Sequence, residues 1–472
     1  MTSFSSAARA PFDRLTNARA ALAYLVLVIA SLGVGAAAAG GDGLLARGSI
    51  LLLALVFLGL ALNVHPESLF VGWLFAAPFL QTPLEEGVGK LLNQAVYLVP
   101  PLLLIGVALT RRSRVRLAPL DALPALFLFY VFVSALLISS EPSSIGGLAR
   151  PVYVTAGLGI VAYYFLVLGP ISRDIGARVA GALIWSGLVI SAMVLVEGFT
   201  GWNLWNDRSL QADEIVRAVA TLANPAVLGT FLGFGFILAL AILLWKGPAH
   251  LLWPSRALLV IAIPALFFTY TRGPILAIAV VGVTMVFVAN RARWPSLIVL
   301  ILVAGSLYGM WDRISATTIY ENRLSVSDTA ETRLLIQEWS FRLIEQEPVV
   351  GTGFGSFDRV KNETEFASFR NIPEIYGRAN TSHNSFLTIL VELGFLGLVL
   401  LLLPWAVLGW RAVKMALARP DLRWILGGVV AILVIYVISA STFDARFFSL
   451  VPALPWIAVG IGRRIMADAE AA

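Results

Sequence analysis

Runs of about 20 apolar residues recur along this chain, each long enough to cross the hydrocarbon core of a bilayer as a helix. They start near Ala21, Gly48, Leu69, Leu91, Asp121, Arg150, Gly176, Ala218, Arg256, Arg272, Pro295, Asn384, Trp424 and Phe447. The run at Leu69 is short and could be re-entrant. The runs at Arg256 and Arg272 are nearly continuous and must turn between Tyr270 and Gly273. Of the 472 residues, 59% are hydrophobic and only 13% charged, against about 25% charged in soluble domains. A water-soluble fold has no way to cover that much apolar surface, so the expected class is an all-α polytopic membrane protein with about 14 transmembrane helices.

The positions of the basic residues support this count. With the N-terminus placed in the cytoplasm, about 19 of the 34 Lys and Arg residues fall in inside segments, among them Arg111, Arg112, Arg178, Arg411, Arg419 and Arg463. An even number of spans then leaves both termini cytoplasmic. The first run follows Arg9, Arg14 and Arg19 and reads as a retained helix. The net charge of +6 is spread over short clusters between apolar runs, which is a topology signal and not a nucleic-acid surface. The chain has no cysteine and three histidines, which excludes disulfides and thiolate chemistry and disfavours a His-rich metal site. No metal or cofactor is expected.

Three regions follow: residues 1–311 with helices 1–11, an outside loop over 312–382, and residues 383–472 with helices 12–14. The loop contains an amphipathic stretch from Glu331 to Ile344, in which Leu335, Trp339, Arg342 and Leu343 recur at helical spacing. Pro348 follows and stops that helix. Gly351, Gly353 and Gly355 then form a turn. A loop this long is uncommon unless it has a function.

Ionisable residues near membrane depth are expensive and therefore mark candidate sites. Arg272 lies at the turn between two spans, Arg217 ends a second outside loop, Arg150 opens a span, and Arg333 lies on the loop helix. A guanidinium donates paired hydrogen bonds to oxyanions, so converging arginines suit a pyrophosphate. Each could also reach to the interface or pair with an acid, as Arg446 could with Asp444. His383 is the one histidine in the outer region. It could activate a hydroxyl, or it could cap the helix that starts there, a task open equally to Ser382 and Asn384. Glu392 reads as a structural polar residue facing other helices.

Four segments together resemble the O-antigen ligase and polymerase family of bacterial envelope glycosyltransferases. The first runs from Arg217 to Pro225, with Ala220 and Leu222 departing from the family's usual residues. The second is Thr271, Arg272 and Gly273. The third runs from Thr332 and Arg333 through Trp339 and Pro348 to the glycines at 351–355. The fourth runs from Ser382 and His383 through Glu392 to Gly394. The resemblance implies a GT-C-like, inverting, metal-independent glycosyltransferase of the bacterial inner membrane, acting on its periplasmic face. Its donor would be an undecaprenyl-pyrophosphate-linked glycan. Its acceptor would be lipid A-core for a ligase, or a lipid-linked repeat unit for a polymerase. Arg272 and Arg333 would hold the pyrophosphate and His383 would serve the acceptor hydroxyl as the third catalytic residue. Arg150, Arg217, Asn224, Trp339, Arg342 and Asn384 are expected to bind substrate. A chain-length regulator is a possible partner. A lipid-linked oligosaccharide flippase is the rival class, but it calls for two related halves and does not need the long loop.

Overall fold

A computed structural model describes residues 66–80, 87–110, 117–137, 152–202, 210–212, 215–222, 224–289, 328–357, 359–360, 382–446 and 450–471. The spans expected from Ala21, Gly48 and Pro295 lie outside the described residues, as does Arg150. The helices are α1 (Pro66–Leu80), α2 (Gly87–Thr110), α3 (Leu123–Leu137), α4 (Leu158–Leu168), α5 (Ile175–Thr200), α6 (Pro225–Leu244), α7 (Leu252–Thr269), α8 (Arg272–Ala289), α9 (Asp328–Gln346), α10 (Ser385–Ala418), α11 (Arg423–Ala440) and α12 (Leu450–Glu470). Between α5 and α6 lies an antiparallel hairpin of β1 (Leu210–Ala212) and β2 (Ile215–Arg217), with Leu210 opposite Arg217.

Among the described residues, eight helices are long and apolar enough to cross a membrane, and three shorter apolar helices accompany them. The shortness expected of the run at Leu69 is that of α1, which has 15 residues. Helix α5, with 26 residues, is about 39 Å long, more than the roughly 30 Å hydrocarbon core. The outer faces agree with a lipid solvent. Trp253, Val260, Ile263 and Phe267 on α7 are all more than half exposed, an arrangement that water would penalise.

Helix α12 runs through the middle of the bundle and is buried along nearly its whole length. It carries two arginines into the interior, and both are satisfied there. Arg463 forks onto Asp121 at 3.2 Å, and Asp121 also accepts from the Tyr163 hydroxyl at 2.6 Å. Arg464 donates to the carbonyls of Gly169 and Ile171. Buried charges persist when each is paired and hydrogen-bonded in this way. Arg178 pairs with buried Glu67 at the same end of the bundle, where α5 starts and α12 finishes. Arg411, Arg419 and Arg423 lie near there too, at the end of α10 and the start of α11. We call this the basic end.

The opposite end collects the finish of α3, α5, α7 and α11 and the start of α6, α8, α10 and α12. Helix α9 and the turn after it, from the 312–382 segment, are seated there, and we call it the loop end. The α9 helix forms as its sequence suggests, but its buried stripe is Ile336, Trp339, Ser340, Leu343 and Ile344. Leu335 and Arg342 lie outside that stripe. Trp339 packs edge-on against Phe357 at 5.3 Å between ring centres, and α10 contributes Leu387 and Val391 to the same small core.

Candidate active site at the loop end

The three main candidate residues come from separate elements, and the structure ties those elements together. Helix α7 ends at Tyr270, which takes a left-handed conformation (φ 48°), so the chain reverses at once into α8. The Thr269 and Thr271 hydroxyls meet at 2.7 Å across this turn. Arg272 is the first residue of α8 and is exposed. A helix start carries partial positive charge and favours acids, so an arginine there opposes the local preference by about 0.3–1 kcal/mol. Gly273 follows because a side chain would collide with Thr442.

Arg333 is on α9. Surrounding protein pulls its guanidinium below its ordinary pKa, and the nearby Arg272 guanidinium pulls it further in the same direction. The residue nonetheless keeps an exposed surface. Thus two cations 61 positions apart in sequence lie near enough to repel one another.

His383 sits directly before α10 with a left-handed backbone (φ 53°). It is not the cap. The Asn384 side chain caps α10, accepting from the backbone N–H groups of Phe386 and Leu387 at 3.0 and 3.2 Å. The Ser382 hydroxyl braces the turn against Thr388 at 2.7 Å. Capping is done by its neighbour, and the left-handed backbone that His383 keeps is of a kind that clusters at functional sites. Asn224 likewise caps α6, accepting from Ala226 and Val227. Both asparagines are therefore already engaged in shaping helix starts.

Arg217 ends β2 and is half-buried. The next residue, Ala218, donates its N–H to Phe268 at 3.0 Å, which draws this strand to the α7 end of the Arg272 turn. Beyond it, the buried carboxylate of Glu197 accepts the N–H groups of Val219 and Ala220. Ala220 is left-handed (φ 46°), so the turn keeps a glycine-like backbone although the residue is alanine.

Trp339 and Arg342 are separated from this cluster in different ways. Trp339 is buried in the core beneath α9. At about 100° per residue, Arg342 lies about 180° round the helix from Arg333. It is exposed and pairs with Glu338 at 3.0 Å.

Sequence reasoning missed the role of the glycines and underrated Arg446. The turn after α9 clasps α10 where that helix kinks at Gly394 (φ 62°). Thr352 and Gly353 donate to the carbonyls of Val391 and Glu392, and Phe395 and Leu396 donate back to Pro348 and Val349. A Cβ on Gly351 would come within 2.5 Å of the Glu392 backbone, and one on Gly394 would collide with Val349. Two backbones approach too closely here for side chains, and the two glycine motifs form one joint. The Tyr130 hydroxyl of α3 lies 3.0 Å from the carbonyls of both Val350 and Leu393. With their N–H groups used in this joint, Thr352 and Gly353 are not a phosphate cradle of the kind that glycine-rich loops can form.

Under the joint, Glu392 does face other chain segments, as its sequence context suggests. Its carboxylate pairs with Arg446 at 2.7 Å, and Arg446 also forks onto Asp444 at 2.9 Å, all three being buried.

Residues 257–402 match a family model described as O-antigen ligase. No curated protein matches the chain. The matched segment includes Arg272, Arg333, His383 and both halves of the glycine joint, while Arg217 and Arg446 lie beyond it. Over residues 257–402, this chain is thus similar to the O-antigen ligase family.

Proposed function

We propose that the protein is a glycosyltransferase that moves a glycan from undecaprenyl pyrophosphate to lipid A-core, on the periplasmic face of the bacterial inner membrane. The loop end then faces the periplasm and the basic end the cytoplasm, with both termini cytoplasmic, about 14 spans and a GT-C-like arrangement. The observation that carries the reading is the nearness of Arg272 and Arg333, whose guanidiniums act on one another although they come from separate elements. Their mutual repulsion is relieved by an anion bound between them, and the start of α8 adds its own partial positive charge.

The acceptor hydroxyl attacks the anomeric carbon, the bond from that carbon to the pyrophosphate oxygen breaks, and configuration inverts. His383 takes the hydroxyl proton. Negative charge grows on the departing pyrophosphate, where Arg272 and Arg333 stabilise it more than they stabilise the bound donor. The guanidiniums supply the counter-charge, so no metal is required. Arg217 adds a further cation to bind the donor, a part we assign to Arg150 from its sequence alone, and Arg342, exposed on α9, can meet the glycan. Asn384 and Trp339 contribute by holding the elements that carry the reacting groups, and Asn224 by shaping the start of α6 beside the Arg217 strand. Membrane lipids surround the body, and a chain-length regulator is a further partner.

The test is glycan transfer by purified protein with a synthetic undecaprenyl-pyrophosphate glycan, lipid A-core and EDTA. Product on the core supports the ligase reading. Elongated lipid-linked chains alone make the protein a polymerase with the same donor chemistry. Movement of labelled lipid across liposomes without either product makes it a flippase.

A further inference from the structure

The three candidate residues occupy three elements, yet each element is attached to one buried cluster. Asp444 and the residues beside it bind the first residue of α10: the Ser385 hydroxyl donates to the Phe443 carbonyl and to Asp444 at 3.3 and 3.4 Å, and accepts from the Ala445 N–H at 2.9 Å. Ser385 is two residues from His383. The same loop places Thr442 against Gly273, next to Arg272. On the other side, the Glu392 carboxylate accepts the Phe357 N–H at 3.4 Å, and Phe357 packs on Trp339 of α9, the helix that carries Arg333. Arg446 joins the two acids, using Nη1 for Glu392 and Nε with Nη2 for Asp444. At 5% exposure its guanidinium is taken up by the two acids.

We propose that Arg446 is a positioning residue whose two-sided grip on Glu392 and Asp444 sets the loop helix α9 in register with the His383 turn and the Arg272 turn. This rests on the reading of those residues as one site. Its physical basis is the shape of the side chain. A guanidinium has a planar fork with donors pointing in several directions, and an ammonium on the same stem does not. Lysine at this position keeps the cluster's charge but loses the simultaneous grip on both acids.

The absence of cysteine from the chain gives a direct test that does not depend on turnover. Glu345→Cys on exposed α9 and Thr200→Cys at the exposed end of α5 accept a pair of spin labels in the full-length protein. The distance distribution between them is measured with native Arg446, with Arg446→Lys and with Glu392→Gln. Arg419→Ala, at the basic end, serves as control. The expected result is one narrow distribution in the parent and the control, and a broadened or shifted one in both cluster variants. In a transfer assay the same variants lose at least tenfold in kcat. If Arg446→Lys does not fold, Glu392→Gln decides. A distribution that stays as narrow as the parent's overturns the proposal. Broadening without any transferase activity in the parent leaves the positioning role standing and removes the proposed function.

Discussion

At the scale of single residues, several positions here hold backbone conformations that cost energy. Ala220 occupies a left-handed backbone, which costs a residue with a Cβ about 1–2 kcal/mol. Ala220→Gly removes that cost but adds freedom to the unfolded chain worth roughly 0.4–1 kcal/mol. We expect a net stabilisation of about 0.5–1 kcal/mol, seen as a raised melting temperature in detergent. His383 has the same kind of backbone without a capping role. Its replacement by alanine should leave the melting temperature nearly unchanged and lower kcat by about 10²–10⁴-fold, the range for losing a general base. Asn384→Ala should differ in kind. It removes a helix cap worth about 1 kcal/mol, so both stability and turnover should fall.

At the scale of elements, the joint between the turn after α9 and the kink in α10 decides where Arg333 stands. Gly351→Ala puts a Cβ against the Glu392 backbone and forces a left-handed conformation on alanine. The cost is about 1–3 kcal/mol for the collision and about 1–2 for the backbone. The expected outcome is faster limited proteolysis within 312–382, with the membrane body still folded and transfer lost. A cleavage pattern equal to the parent's would show that the joint does not hold the loop. Much of this region could be read from sequence. Among the described residues, most span starts, the turn at Tyr270 and the α9 helix follow from hydropathy and spacing, while Arg272, Arg333 and His383 stand out by charge and position. The joint does not follow, because glycines that permit a close approach look like glycines that permit a turn until the partner backbone is seen. Arg446 beside Asp444 suggests a local pair, and its third member, Glu392, lies 54 residues away. The binding expectation for Asn384 came from its place in a motif, whereas its side chain is occupied by the helix start.

At the scale of the whole molecule, the two ends of the bundle differ in chemistry. One carries the ion pair of Arg178 with Glu67 and the buried pair of Arg463 with Asp121, and the other carries Arg272, Arg333 and His383. With the loop end outward, a single Glu345→Cys should react in intact spheroplasts with a membrane-impermeant maleimide. Asp421→Cys, exposed between α10 and α11, should react only after permeabilisation. The reverse pattern would invert the topology and remove access to a periplasmic donor.

The most direct measurement is a double-mutant cycle on kcat/KM for glycan transfer, with Arg272→Ala, Arg333→Ala and the pair together. Residues that grip one pyrophosphate act as a unit, so losing the second should cost much less once the first is gone. Combined losses well short of the product of the single ones are the expected result. Single losses that multiply fully would mean that the two arginines act on different groups, and would contradict a shared site.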